Sequence, residues 1–198
     1  MKKIFAGMWL LILAVAIASL FWYNDLKYRI PTPVPIGYQP VAQGQLINLP
    51  VLKAYDKKPV LLHFFNPACP CSRFNIRTVK ALIKQYGSEV NFIIVVISNK
   101  PYTVSEIQDK FGSNLPVLFN GIYAKTCGVY STPQAVLLDP EHRLNYRGNY
   151  NSSRYCTDEK TAYAKIAINE MLANNTRVKF SQFALRAYGC QLPNCNKN

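Results

Sequence analysis

This chain of 198 residues predicts an α/β domain, a mixed central sheet flanked by helices, preceded by an apolar helix of membrane-spanning length. Three observations carry that expectation. Val60–Phe65 and Val90–Ser98 are uninterrupted apolar runs of strand length, as parallel strands covered on both faces require. Between them, Pro70–Tyr86 carries a partial apolar helical face from Phe74, Val79, Leu82 and Ile83. Further on, Gln134–Asp139 and Arg143–Tyr150 read as two strands joined by the turn Asp139-Pro140-Glu141-His142, with a last helix over Asp158–Ala173. Strand–helix–strand followed by strand–strand–helix packs helices onto one mixed sheet.

Taken in order, the chain starts with Met1-Lys2-Lys3 and an uncharged apolar stretch, Ile4–Tyr23. About 20 residues at 1.5 Å each span a hydrocarbon core, and Trp22 and Tyr23 fall where an interfacial aromatic belt belongs. Ala16-Ile17-Ala18 resembles a signal cleavage site, but the apolar run continues past it, so residues 1–23 are expected to be an uncleaved anchor. Lys2 and Lys3 would stay in the cytoplasm, which puts the body outside it.

Residues 24–45 hold Pro31, Pro33, Pro35 and Pro40 and read as an extended linker. Residues 46–179 form the expected domain, and 180–198 a cysteine-containing tail. Within the domain, Leu46–Tyr55 suggests a short strand and a helical turn. Gly87 stands where a glycine ends the helix from Pro70. Thr103 and Glu106 form a capping box for a helix over Thr103–Phe111, and Ile122–Cys127 suggests another helical turn.

The net charge is +13, but the 23 Lys and Arg are scattered without long runs. That distribution describes a solvated exterior or one attracted to anionic membranes, not a nucleic-acid groove. Six cysteines point to an oxidising compartment or a thiol function.

The chemistry converges on Cys69-Pro70-Cys71. Strand Val60–Phe65 stops at Asn66-Pro67-Ala68, and Pro70 suits the first helical position, where its missing N–H costs nothing. Cys69 then lies at a helix N-terminus, where unpaired amides and the macrodipole favour a thiolate. Arg73 offers either local positive charge or a solvated side chain. His63, inside the buried strand, reads as a core histidine, His142 as an exposed turn residue and Arg147 as a strand surface residue.

These residues, with Gly128-Val129-Tyr130-Ser131-Thr132-Pro133 before Ala135–Asp139, Tyr146-Arg147-Gly148 and the late Gly189-Cys190, resemble the thioredoxin-like superfamily. More narrowly, the chain is similar to its redoxin branch, which includes peroxiredoxin-like and membrane-anchored thiol–disulfide proteins. The resemblance runs from Leu46 to Cys190. It implies a thioredoxin-like fold, a cis proline at Pro133 facing the active cysteine, and Cys69 as nucleophile. The chain departs from thioredoxins in having one residue between its cysteines and Ala68 before the first.

That single-residue spacing restricts the chemistry. Two cysteines at i and i+2 of a helix point apart, whereas in extended backbone their Cα atoms are about 6.5–6.8 Å apart, the upper edge for a bridge. Cys69–Cys71 can therefore pair only with Cys69 outside the helix. Otherwise a distant cysteine resolves Cys69, and the resemblance, through its Gly-Cys ending, implies Cys190 as the leading candidate. The spacing of Cys190 and Cys195 favours instead a structural clip between them. Cys127 and Cys156 read as a second structural bridge or as buried residues, with Cys127 a further resolving candidate.

The expected function is thiol–disulfide exchange by Cys69, Cys71 and Pro133, with no cofactor and no metal. Its partners would be protein thiols and disulfides, a further redox protein and the membrane, with no nucleic acid. The expected place is a bacterial inner membrane with the domain in the periplasm, or secretion after signal cleavage. The alternatives are a thiol peroxidase and a copper-binding protein of the Sco type, for which two close thiolates suit Cu(I).

Overall fold

The structure is a computed structural model that describes residues 2–55, 57–152, 158–175 and 178–193. Its strands, in chain order, are β1 Val60–Phe65, β2 Asn91–Val96, β3 Val117–Leu118, β4 Ser131–Thr132, β5 Gln134–Leu138, β6 Leu144–Gly148 and β7 Cys190–Gln191. The helices are α1 Lys2–Arg29, α2 Pro70–Tyr86, α3 Val104–Phe111, α4 Gly121–Thr126, α5 Tyr163–Leu172 and α6 Gln182–Leu185.

The chain divides between Pro31 and Thr32 into two units. The first consists almost wholly of α1, which continues past the end of the apolar run at Tyr23. Lys2–Tyr23 is long and apolar enough to cross a membrane, and none of it is buried against protein. It fits a single-pass anchor or a signal sequence.

In the second unit the sheet order is β3-β2-β1-β5-β6. β1 pairs in parallel with β2, and β2 with β3. On its other side β1 pairs antiparallel with β5, and β5 with β6. This is the thioredoxin-like fold that the motifs resemble. Every residue of β1 is buried, because both faces are covered. Leu61 and Phe65 face a core completed by Val79 and Leu82 of α2, Ile107 and Phe111 of α3, and Ile168 of α5. Val60, Leu62 and Phe64 face the opposite layer with Ile47, Leu49, Leu52 and Ala124. Burying each such side chain contributes about 1.5–3 kcal/mol.

Several boundaries differ from the sequence expectation. Gly87 keeps right-handed backbone (φ −61°), its N–H donating to the Ile83 carbonyl. The left-handed glycine cap is at Gly112 (φ 62°), which closes α3 behind the Thr103–Glu106 capping box. The last long helix is a 3₁₀ turn, Glu159–Thr161, followed by α5 from Tyr163.

Residues 32–45 are not a free spacer. Gly44 N–H donates to the Leu144 carbonyl at 2.7 Å and Leu144 N–H to that of Gln45 at 2.9 Å. Tyr38 donates to the Gly128 carbonyl at 2.8 Å, and Arg147 Nη1 to those of Val41 (3.0 Å) and Cys127 (3.3 Å). Arg147, expected as a surface residue, is thus a clamp on both segments. Prolines supply no N–H for a sheet, so their density correctly reads as irregular chain but does not reveal what that chain packs on.

The segment set apart as a tail is also built in. Ala184 and Ala187 are fully buried, and Asn149 Nδ2 donates to the carbonyls of Phe183 (2.8 Å) and Arg186 (2.6 Å). β7 then pairs antiparallel with β4, Thr132 opposite Cys190 and Ser131 opposite Gln191.

Candidate functional site: a helix N-terminus and a cysteine triad

The site is assembled where β1 gives way to α2. Asn66 organises the turn. Its Oδ1 accepts from Ala68 N–H at 3.0 Å, and its carbonyl accepts from Cys69 N–H at 3.0 Å. Its own N–H donates to the buried Ser72 hydroxyl at 3.3 Å. These bonds hold Cys69 in extended backbone (φ −81°, ψ 122°) as the residue before the helix, with Pro70 at its start. No side chain caps that terminus, and the positive end of the helix there favours negative charge at Cys69 when its sulfur is released as a thiolate.

Cys69 is bonded to Cys190, their Cα atoms 6.1 Å apart. This overturns the expected Cys190–Cys195 clip. Backbone pairing of β4 with β7 brings Cys190 to the mouth of α2, and nothing in the spacing of the two late cysteines reports that pairing. Cys195 and Cys156 lie outside the described residues. Cys71 stays outside the bond and half-buried, its sulfur within 4.8 Å of those of Cys69 and Cys190. The structure therefore brings three of the expected thiols together.

Cys127 is not among them. It is fully buried, is not in a disulfide, and its burial pushes the thiol up to about 12 against the opposing pull of Arg147. Burial of this kind disfavours the thiolate and suits a packing residue.

The other wall of the site is the loop before β5. The Thr132–Pro133 peptide is cis, and the Thr132 carbonyl oxygen lies 3.6 Å from Cys69 Sγ. With Cys69 oxidised that contact is van der Waals, since no S–H remains to donate. Ser131 Oγ, Thr132 Oγ1 and Gln134 Oε1 are buried here without hydrogen-bond partners among the described residues. Arg73 is exposed. His63 belongs to the core, its Nδ1 2.7 Å from the Tyr150 hydroxyl, and burial lowers its pKa to about 3.

Thr32 was not legible in the sequence, and Gly189 was read only as part of the Gly189-Cys190 motif. Thr32 N–H donates to the Ala187 carbonyl at 2.8 Å, and its hydroxyl to that of Gly189 at 3.1 Å. Gly189 has φ +149°, and a Cβ there would come 2.2 Å from the Thr132 carbonyl oxygen. Only a glycine lets β7 approach the loop this closely. Gly189→Ala is expected to push β7 off β4 and lower the Cys69–Cys190 bonded fraction at least about 10-fold in a fixed glutathione buffer. Thiol alkylation and peptide mapping measure that fraction.

Residues 39–194 match the family described as a domain of unknown function, DUF6436. No curated protein matches the sequence. Among solved structures, a hypothetical protein from Sinorhizobium meliloti 1021 superposes with a TM-score of 0.64 at 19% identity, covering 78% of this chain and 95% of its own. An uncharacterized conserved protein from Geobacillus kaustophilus gives 0.62 at 17% identity, covering 81% and 91%. The thioredoxin domain of a thiol-disulfide oxidoreductase from Bacteroides vulgatus matches at 0.45 and 16% identity, covering 53% of this chain and 86% of that one. The first two likenesses show a shared fold.

Proposed function

This chain belongs to the DUF6436 family of domains of unknown function, and for it we propose thiol–disulfide exchange, with Cys69 as the attacked and attacking sulfur and Cys190 as its partner. One observation carries the reading. The Cys69–Cys190 bond sits at an uncapped helix N-terminus against the cis-proline loop, with a third sulfur within 4.8 Å. A disulfide meant only to staple the fold does not need helix amides that stabilise one of its thiolates as a leaving group.

In the oxidising direction, a substrate thiolate attacks Cys69 Sγ. The Cys69–Cys190 bond breaks and Cys190 leaves as a thiolate. A second substrate thiolate then attacks the mixed disulfide, so the substrate loses two electrons and Cys69 is released reduced. The same bonds, made and broken in reverse, reduce a substrate disulfide. Pro133 shapes the wall against which the substrate sulfur is presented.

The substrates in this reading are protein thiols or disulfides, renewed through a separate redox partner. The apolar α1 and the positive charges of Lys2 and Lys3 support anchorage in a bacterial inner membrane with the domain in the periplasm. A persistent disulfide also favours such a compartment.

The test uses full-length protein in detergent. Oxidation of a reduced dicysteine peptide without peroxide supports the reading, as does reduction of its disulfide by the prereduced protein. Turnover only with hydrogen peroxide moves the assignment to a thiol peroxidase. One observation favours a second reading, since three sulfurs this close would form a soft donor set for Cu(I) once the Cys69–Cys190 bond is reduced. Stoichiometric Cu(I) retention against a chelator, without disulfide turnover, would select it.

A further inference from the structure

The bonds that hold the C-terminal segment change character at Gly189. Up to Tyr188 the chain is fixed to the domain through fully buried Ala184 and Ala187. Thr32 N–H and both ends of the Asn149 amide secure it as well, Tyr188 N–H reaching Asn149 Oδ1 at 3.4 Å. Beyond it, Gly189–Pro193 depends on different contacts. Among the described residues they are the two-residue ladder to β4, the Thr32 hydroxyl, the Leu192 N–H to the Tyr130 carbonyl at 3.4 Å, the half-buried Leu192 side chain against the core, and the bond from Cys190 to Cys69. A ladder of two residues is marginal by itself, so the disulfide is the fastening.

What the segment covers is unusual. The side-chain oxygens of Ser131, Thr132 and Gln134 are at least 99% buried and unpartnered among the described residues. Buried polar atoms are nearly always hydrogen-bonded, and an exception asks for an explanation. Three of the exceptions fall together, two on β4, with which β7 pairs, and one on the first residue of β5. That is expected of a surface whose better-matched occupant is something other than β7. Pro193, just past β7, also forms one wall of a cleft of about 430 Å³ with Ser98, Lys100, Tyr102 and Phe119.

We propose that Gly189–Pro193 is a strap fastened over the substrate edge of β4, and that Cys71 is the thiol that unfastens it. The inference rests on the reading of Cys69 as the reactive sulfur. Cys71 loses its proton to solvent and attacks Cys69 Sγ. The Cys69–Cys71 bond forms, the Cys69–Cys190 bond breaks, and Cys190 leaves as a thiolate that takes up a proton. One disulfide replaces another, so no oxidant or reductant is consumed. Cys69, held in extended backbone outside α2, meets the condition for bridging to a cysteine two residues on. With Cys190 released, Gly189 is the pivot about which the strap leaves β4. The backbone of Ser131–Thr132 and the unpartnered oxygens are then open to an extended segment of the partner protein.

The test needs no substrate. Oxidised full-length protein in detergent is quenched in acid after incubation at pH 8, alkylated and mapped. In parallel, amide hydrogen exchange is followed in a peptide covering residues 189–193. Wild-type protein is expected to contain both Cys69–Cys190 and Cys69–Cys71 peptides. Cys71→Ser is expected to contain only the former, with strap exchange slowed at least 10-fold at the same pH. Cys71→Ala is the second variant should the serine form fail to fold, and the wild-type map needs neither. Absence of the Cys69–Cys71 peptide, or equal strap exchange in wild type and variant, overturns the proposal. Because strap opening is read without turnover, a protein that opens but exchanges nothing with the dicysteine peptide sinks the functional reading alone. One that turns over with a silent strap sinks the strap alone.

Discussion

Cys69→Ser is expected to lower the rate of disulfide exchange by about 10³-fold or more, the scale on which removing a nucleophile acts. A serine hydroxyl at the same helix terminus stays protonated near neutral pH and forms no disulfide, so neither half of the cycle remains. Stability should fall as well, because the lost bond closes a loop of 121 residues, and a cross-link of this kind contributes about 2–4 kcal/mol. Cys190→Ser separates the two effects. It loses the same cross-link and should show the same fall in denaturant midpoint. It keeps Cys69 beside Cys71, however, and should retain measurable exchange with a dithiol substrate. Equal inactivity of the two variants would show that Cys71 does not stand in for Cys190 as the partner thiol, whereas full activity of Cys69→Ser would make the bond a staple and remove the case for a reactive Cys69. Stopped-flow exchange with the dicysteine peptide and urea unfolding of each variant provide the comparison.

The second large effect is an acid sensitivity set in the core. His63 lies in β1 among Phe65, Phe111 and Tyr150, its ring 5.6 Å from that of Phe111 and edge-on to it. Burial lowers its pKa to about 3, against roughly 6.5 in an unfolded chain. Between these values the unfolded state binds a proton that the folded state refuses, so stability rises with pH there and is lost as pH falls below 6.5. The slope approaches about 1.4 kcal/mol per pH unit, or roughly 2–3 kcal/mol between pH 6.5 and 4.5. Urea midpoints across that interval should show it, and His63→Leu should flatten it. The substitution has its own cost of about 1–3 kcal/mol at every pH, because the buried Tyr150 hydroxyl loses the Nδ1 hydrogen-bond partner it now has at 2.7 Å. A wild-type midpoint independent of pH from 6.5 to 5 would show that His63 is not held neutral. Glu106, whose carboxyl is held low by its bonds to Thr103, adds a loss of the same sign at the acid end.

The central sheet was legible because its strands announce themselves. Val60–Phe65 has no polar residue but His63, and a strand buried on both faces can have no other pattern. The capping box at Thr103 and the position of Cys69 before Pro70 were readable for a similar reason, since each depends on residues within one turn. The failures are the contacts between distant segments. β3 and β7 are two residues each, too short to show a period. The approach of residues 32–45 to β6 rests on backbone bonds and on Arg147, whose position in an alternating strand looks like any outward-facing cation. The Cys69–Cys190 bond belongs to the same class. Gly189-Cys190 was a clue to it, but the choice between Cys69 and Cys195 as the partner depended on the β4–β7 pairing.

The distance in sequence between the two bonded sulfurs also sets an order of events during synthesis. A ribosome adding about 5–20 residues per second delivers Cys190 some 121 residues after Cys69, a delay of roughly 6–24 s. Throughout that interval the nascent chain already carries Cys71, two positions on. Were oxidation to begin within that interval, Cys71 and not Cys190 would be the partner at hand, and the mature bond would be reached by handing that linkage to a latecomer.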